Sequence, residues 1–354
     1  MRIRGLYVQY SQLAAVVIVA IAAPLALLPN DATLAVTPTA TDAVLEVLKV
    51  QYRRPDAIPF PKNNPYTIQK AALGKRLYFD TRLSAANLLS CASCHSPAYS
   101  WGDGQPRGVG HGMQQLGRRS PSIVNAAFGG IFMWDGRFGS LEEQALGPIG
   151  AEAEMNLPID QLMDRLKGIP EYRPLFEAAF PREGISPQTV AKAIATYERT
   201  VVSGRAPFDA WIEGDESVIS SEAKRGFVLF NTKGACANCH SGWNFTDDSF
   251  HDVGLSDSDI GRGKQMPTVV KMQHAFKTPG LREIARRSPY MHDGSIPTLE
   301  AVIDQYDDGG TSRPSRSDLI HPLGLTKLEK SDLVAFLATL TSEMEPTTVP
   351  VLPR

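Results

Sequence analysis

Cys91-Ala92-Ser93-Cys94-His95-Ser96 and Cys236-Ala237-Asn238-Cys239-His240-Ser241 hold every cysteine of this 354-residue chain. In each stretch two thiols stand about one helical turn apart, and an imidazole follows the second. That spacing lets both thiols reach the vinyl groups of one haem while the imidazole turns onto the iron from the same side. Three other readings compete with haem. Four cysteines form two disulfides in an oxidising compartment, but disulfides do not require a histidine after each pair. A four-cysteine zinc site satisfies the spacing, although exported proteins rarely depend on one, and a thioredoxin-like pair accounts for neither histidine. Two matches that use all the cysteines favour two covalently bound haem c groups. Cys91, Cys94 and His95 would hold one, and Cys236, Cys239 and His240 the other.

The surroundings of the two motifs repeat. Thr67 to Phe79 carries apolar residues at helical spacing and ends in Gly74-Lys75-Arg76-Leu77-Tyr78-Phe79 before the first motif. Ser221 to Phe230 ends in Gly226-Phe227-Val228-Leu229-Phe230 before the second. A helix, a loop and a haem motif in the same order indicate an internal duplication. Ser186 and Pro187 form a cap and first-turn pair ahead of Val190, Ile194, Tyr197 and Val201. Thr326 and Glu329 form a capping box ahead of Leu333, Phe336, Leu337 and Leu340. Ser140 and Glu143 repeat that pattern for a short helix expected to stop before Gly147-Pro148. Two-residue alternation is scarce, and the glycines from 102 to 112 predict irregular loops. The expected fold is mainly α, with two cytochrome c-like helical haem domains over 66–215 and 216–345 and long irregular loops. Residues 36–65 read as a linker and lead-in.

Hydrophobic residues make up 43% and charged residues 21%, with a formal charge of -2, which argues against wholesale disorder. The basic clusters Arg118-Arg119 and Arg286-Arg287 are too short to suggest nucleic acid as a partner. Arg2 and Arg4 precede an apolar run from Leu13 to Leu28, and small residues follow up to Ala35. This predicts a signal peptide over residues 1–35 and a periplasmic protein. Membrane attachment follows only if that segment stays uncleaved as an anchor, for which the run, interrupted by Pro24, falls short of the ~20 residues a span needs.

Several further stretches are similar to the bacterial di-haem cytochrome c peroxidase and MauG family. They are Leu73 to Asp80, Trp134-Asp135-Gly136-Arg137, Leu141 to Ala145, Glu154-Met155 and Pro289-Tyr290-Met291-His292-Asp293-Gly294. The resemblance implies that Trp134 relays electrons between the haems. It implies that Gln144 and Glu154 lie over the His95 haem, where peroxide reacts, with Glu154 as the acid-base group. It also implies that His111 can cap the first iron and leave on activation. Counting fourteen residues from His292 reaches Tyr306, where MauG-type members carry a tyrosine ligand and cytochrome c peroxidases a methionine. An anionic oxygen donor stabilises ferric and higher iron states. Packing of Tyr306 in the core, with Met266, Met272 or Met291 as the ligand, is the competing reading. Many relatives hold calcium between the domains, but the asparagine expected before Ser120-Pro121 is Arg119, which counts against that ion.

The resulting expectation is a MauG-like peroxidase that takes hydrogen peroxide and uses a small periplasmic redox protein or a protein substrate as reductant. Two alternatives remain at this level. One is a cytochrome c peroxidase fed by a small cytochrome or cupredoxin, and the other is a non-enzymatic di-haem electron-transfer cytochrome.

Overall fold

The computed structural model describes residues 40–354, so the export segment expected over residues 1–35 lies outside the described residues. Its helices in chain order are α1 (Ala40–Val50), α2 (Ile68–Phe79), α3 (Cys91–Cys94), α4 (Leu141–Gly150), α5 (Ile159–Lys167), α6 (Tyr172–Ala179), α7 (Pro187–Arg199), α8 (Pro207–Ile212), α9 (Ser221–Asn231), α10 (Leu299–Asp307) and α11 (Lys327–Ala338). One antiparallel strand pair, Phe250–His251 with Phe276–Lys277, is the sheet content among the described residues. The fold is mainly α. No helix among the described residues is long and apolar enough to cross a membrane.

Two helix crossings organise the molecule, and each depends on a glycine in the duplicated sequence. α2 crosses α7 at Gly74, where an added Cβ would lie 1.9 Å from the Ala193 carbonyl oxygen. α9 crosses α11 at Gly226, where a Cβ would lie 2.0 Å from the Asp332 carbonyl oxygen. Only a residue without a side chain admits so close an approach. Arg225 strengthens the second crossing by a two-pronged bond to buried Asp332, with both contacts at 2.8 Å. Ser186 and Thr326 cap α7 and α11 as their sequences predict, each in a reciprocal box with the third residue of the helix.

Two cores lie beside these crossings. Leu73, Leu77, Ile149, Leu162, Phe176 and Ile194 form the first. Phe227, Phe230, Phe245, Leu333 and Phe336 anchor the second. The chain trades segments between them. Tyr52, from the stretch expected to be a lead-in, stacks on Phe245 at 4.9 Å in the second core. Phe208, Trp211 and Ile212 of α8, assigned from sequence to the first domain, also join the second core. Local pattern reveals that such residues are buried but not against which partners. α4 also differs from expectation: it continues through Pro148 to Gly150. Pro148 has no N–H to give the Gln144 carbonyl, so the last turn of the helix forgoes one backbone bond.

The duplication extends into the loops between motif and helix. Asn125 (φ 63°) opens a tight turn, Met133 (φ 69°) and Gly136 (φ 63°) bracket Trp134, and Ser140 caps α4. In the second half Glu283 (φ 63°), Met291 (φ 70°) and Gly294 (φ 65°) repeat the geometry around His292, and Thr298 caps α10. Bridges Phe132 with Phe138 and Tyr290 with Ile296 close the equivalent loops. Trp134 and His292 are therefore counterparts. Pro148 and Tyr306, each fourteen residues further on, are counterparts as well.

Gly226→Ala should destabilise the haem-loaded protein by roughly 1–3 kcal/mol, the usual range for forced overpacking. Denaturant unfolding measures this, and an unchanged midpoint would show that the crossing is looser than described.

Candidate functional site

A continuous cavity of about 830 Å³ runs between the two modules and is lined by both Cys-x-x-Cys-His motifs. The first motif forms α3, with Ser93 Oγ accepting the Ser90 backbone N–H at 3.0 Å. The second starts from Ala235 in the left-handed region and makes a single tight turn. None of the four cysteines is in a disulfide. Burial pushes all four thiols up, Cys94 and Cys239 to about 11 and Cys236 to about 12.

The two histidines are prepared in the same way. His95 Nδ1 lies 2.8 Å from the Pro121 carbonyl oxygen, and His240 Nδ1 lies 2.9 Å from that of Phe245. A carbonyl only accepts, so Nδ1 carries the proton and Nε2 keeps the lone pair that a metal needs. Burial lowers the proton affinity of both rings and keeps them neutral. Two unpaired thiols, an oriented imidazole and a shared cavity fit one haem at each motif.

Trp134, Gln144, Glu154 and Tyr306 all line the cavity. Trp134 sits between the motifs, and its indole Nε1–H donates to the Arg119 carbonyl at 2.8 Å. Its ring meets the His292 ring edge-on at 6.4 Å, and His292 in turn stacks on Phe276 at 3.5 Å. Glu154 is half-buried on the first side. Burial raises its carboxyl above the usual range, and Arg137 opposes the shift from 3.8 Å. Gln144 Nε2 lies 3.8 Å from Met133 Sδ.

Tyr306 projects from α10 on the side of the second motif. Burial pushes its phenol up, and the nearby Cys239 and Cys236 add to the effect. Of the competing methionines, Met266 is 37% exposed, and neither it nor Met272 lines the cavity, while Met291 does. The first-half counterpart of Tyr306 is Pro148, whose side chain offers no donor atom to a metal. The repeat thus supplies an oxygen donor on one side and none on the other.

His111 is not part of the cavity wall. Its backbone N–H is tied to the Ala153 carbonyl at 3.1 Å, which pins the loop against the Glu154 segment. Two cavity residues escaped the sequence reading. Arg137 belongs to the Trp-Asp-Gly-Arg stretch and was legible there. Glu198 carried no local signal: it is 4% exposed, its Oε2 has no hydrogen-bond partner, and burial raises its carboxyl to about 8. The adjacent Arg199 is spent on Glu142, at 2.7 and 2.9 Å. His251 also lines the cavity, with its Nε2 3.0 Å from Asp247 Oδ2.

The family of di-haem cytochrome c peroxidases matches residues 68–217, and the cytochrome c family matches 223–341. The methylamine utilization protein MauG of Methylorubrum extorquens is 52% identical over 320 residues, covering 90% of this chain and 91% of that protein. The chain belongs to the di-haem cytochrome c peroxidase and MauG family. The MauG protein of Methylophilus methylotrophus is 46% identical, over 91% of this chain and 97% of its own. A crystal structure described as a MauG-like protein associated with microbial copper homeostasis superposes with a TM-score of 0.75 at 33% identity, covering 82% of this chain and 95% of the other. This MauG family member is a di-haem c-type peroxidase, an oxidoreductase with two covalently bound haems. Peroxidase chemistry brings hydrogen peroxide to it, together with a redox protein or protein substrate as reductant.

Replacing Tyr306 with Met should raise the midpoint potential of the His240 haem in a spectroelectrochemical titration while leaving the His95 haem near its original value. An unchanged potential would remove Tyr306 from the ligand set.

Proposed function

We propose that hydrogen peroxide reacts on the His95 side of the cavity and that Glu154 moves its protons. The observation that carries this is the asymmetry of the wall: a half-buried carboxyl faces the side where the repeat offers Pro148, and a phenol faces the other side. Cys91, Cys94 and His95 would hold one haem and Cys236, Cys239 and His240 the other, and these would supply the redox-active iron this chemistry needs. Overall, one peroxide takes up two electrons and two protons and leaves as two waters. Glu154 takes the proton from the near oxygen and returns it to the departing one, and Gln144 orients the bound peroxide beside it. Arg137, 3.8 Å away, favours the ionised form and so opposes the burial that raises the Glu154 carboxyl.

Trp134 carries electrons between the halves. Its indole lies in the wall shared by both motifs and is held by a backbone bond that fixes its orientation. Tyr306 serves as the oxygen ligand of the second iron and favours its more oxidised states. This arrangement suits storage of oxidising equivalents on both sides and their delivery to a protein side chain. Identity with two methylamine utilization proteins supports a protein of that process as the reductant. The basic and apolar N-terminal segment supports export to the periplasm.

Glu154→Gln should lower peroxide turnover by about 10²–10⁴-fold while haem content and ferric spectra stay unchanged. Turnover within a few-fold of the parent protein would remove Glu154 from proton transfer.

Activity needs the Glu154 carboxylate, so it is present above the carboxyl's pKa and lost as pH falls through it. Burial places that acidic limb above the ordinary glutamate range. Arg137→Leu removes the opposing charge and should move the limb to higher pH. A limb that stays put or moves down would contradict the pairing.

A further inference from the structure

The family resemblance implies a calcium ion between the two modules, and the residues at that junction do not fit one. Calcium takes about six to eight oxygen ligands. Here four backbone carbonyls at the junction already accept from N–H groups. That of Arg119 takes the Trp134 indole at 2.8 Å, that of His292 takes the Arg119 amide at 2.7 Å, and that of Arg287 takes Arg119 Nη2 at 2.5 Å. The Gly280 carbonyl is likewise taken by Arg287 Nη1, at 3.1 Å.

Two guanidinium groups occupy this place instead. Arg119 is 7% exposed and Arg287 8%, both line the cavity, and the Nε–H of each has no partner in the protein. The acidic groups that act on them are committed elsewhere. Asp103, which acts on Arg119, accepts from Ser120 Oγ at 2.7 Å, and Glu283, which acts on Arg287, accepts the Ser342 backbone N–H at 3.1 Å. A divalent cation entering here would meet two buried positive charges. The bond from Arg119 to the Arg287 carbonyl also joins the first half of the chain to the second, which is the mechanical role of a bridging metal.

We propose that the Arg119 guanidinium, braced by Arg287, is a built-in cation that takes the place of the inter-module calcium, so that this peroxidase keeps its two haem sites in register without a divalent metal. The free Nε–H groups remain available to the carboxylate substituents that each haem brings into the cavity. A cation tethered to the chain cannot be removed by a chelator or by a calcium-poor medium.

Metal analysis and thermal unfolding of the holoprotein test this without reference to turnover. The expected result is no stoichiometric calcium in the isolated protein, with an unfolding midpoint and ferric haem EPR spectrum indifferent to excess EGTA or to millimolar calcium chloride. One tightly held calcium per chain, or a midpoint lowered by EGTA, would overturn the proposal. Arg119→Asn should lower the midpoint in EGTA and regain part of the loss when calcium is added. An Asn variant that unfolds like the parent in EGTA, or one destabilised but indifferent to calcium, would also overturn it. If that variant does not accumulate, the measurements on the parent protein decide.

Discussion

The backbone of one residue, Arg119, ties the two haem sites to each other. Its N–H donates to the carbonyl of His292, and its C=O accepts from the Trp134 indole, at 2.7 and 2.8 Å. Trp134 and His292 are counterparts in the repeat, so the two halves meet through equivalent loops with one residue between them. Buried backbone groups must find partners, and here they find them across the junction. Moving Arg119 would therefore shift the indole, the His292 loop and the shared cavity wall together. The guanidinium of the same residue adds a second bond across the junction, to the Arg287 carbonyl.

Duplication gives two similar haem pockets, and a few substitutions make them unequal. Both histidines are oriented by a backbone carbonyl, and both motifs follow a helix packed at a glycine crossing. The halves diverge at paired positions: indole against imidazole at 134 and 292, proline against phenol at 148 and 306. The first half also carries Glu154, whose carboxyl burial raises and the Arg137 charge lowers. Identical haems can thus be given different coordination and different protonic surroundings by side chains alone.

The haem motifs, the glycine-bearing helices and the caps at Ser186 and Thr326 were legible in the sequence because each depends on residues close together in the chain. The distance from His292 to Tyr306 was legible for the same reason: both stand on one loop and the helix it leads into. Long-range choices were not. Nothing near Tyr52 or Trp211 indicates that they pack in the second core, and nothing near Glu198 indicates a cavity wall. His111 has the right type and spacing for a ligand, but the bond from its backbone to Ala153 is a tertiary fact. Arg119 was visible as a departure from its relatives, whereas its contact with Arg287, 168 residues away, was not.

Addition of one equivalent of hydrogen peroxide to the diferric holoprotein, followed by EPR of both haems, tests most directly whether the two sites act as one unit. The account predicts that the ferric signals of the His95 and His240 haems are lost together at one peroxide per chain. Loss confined to the His95 haem, with the His240 signal intact, would contradict it.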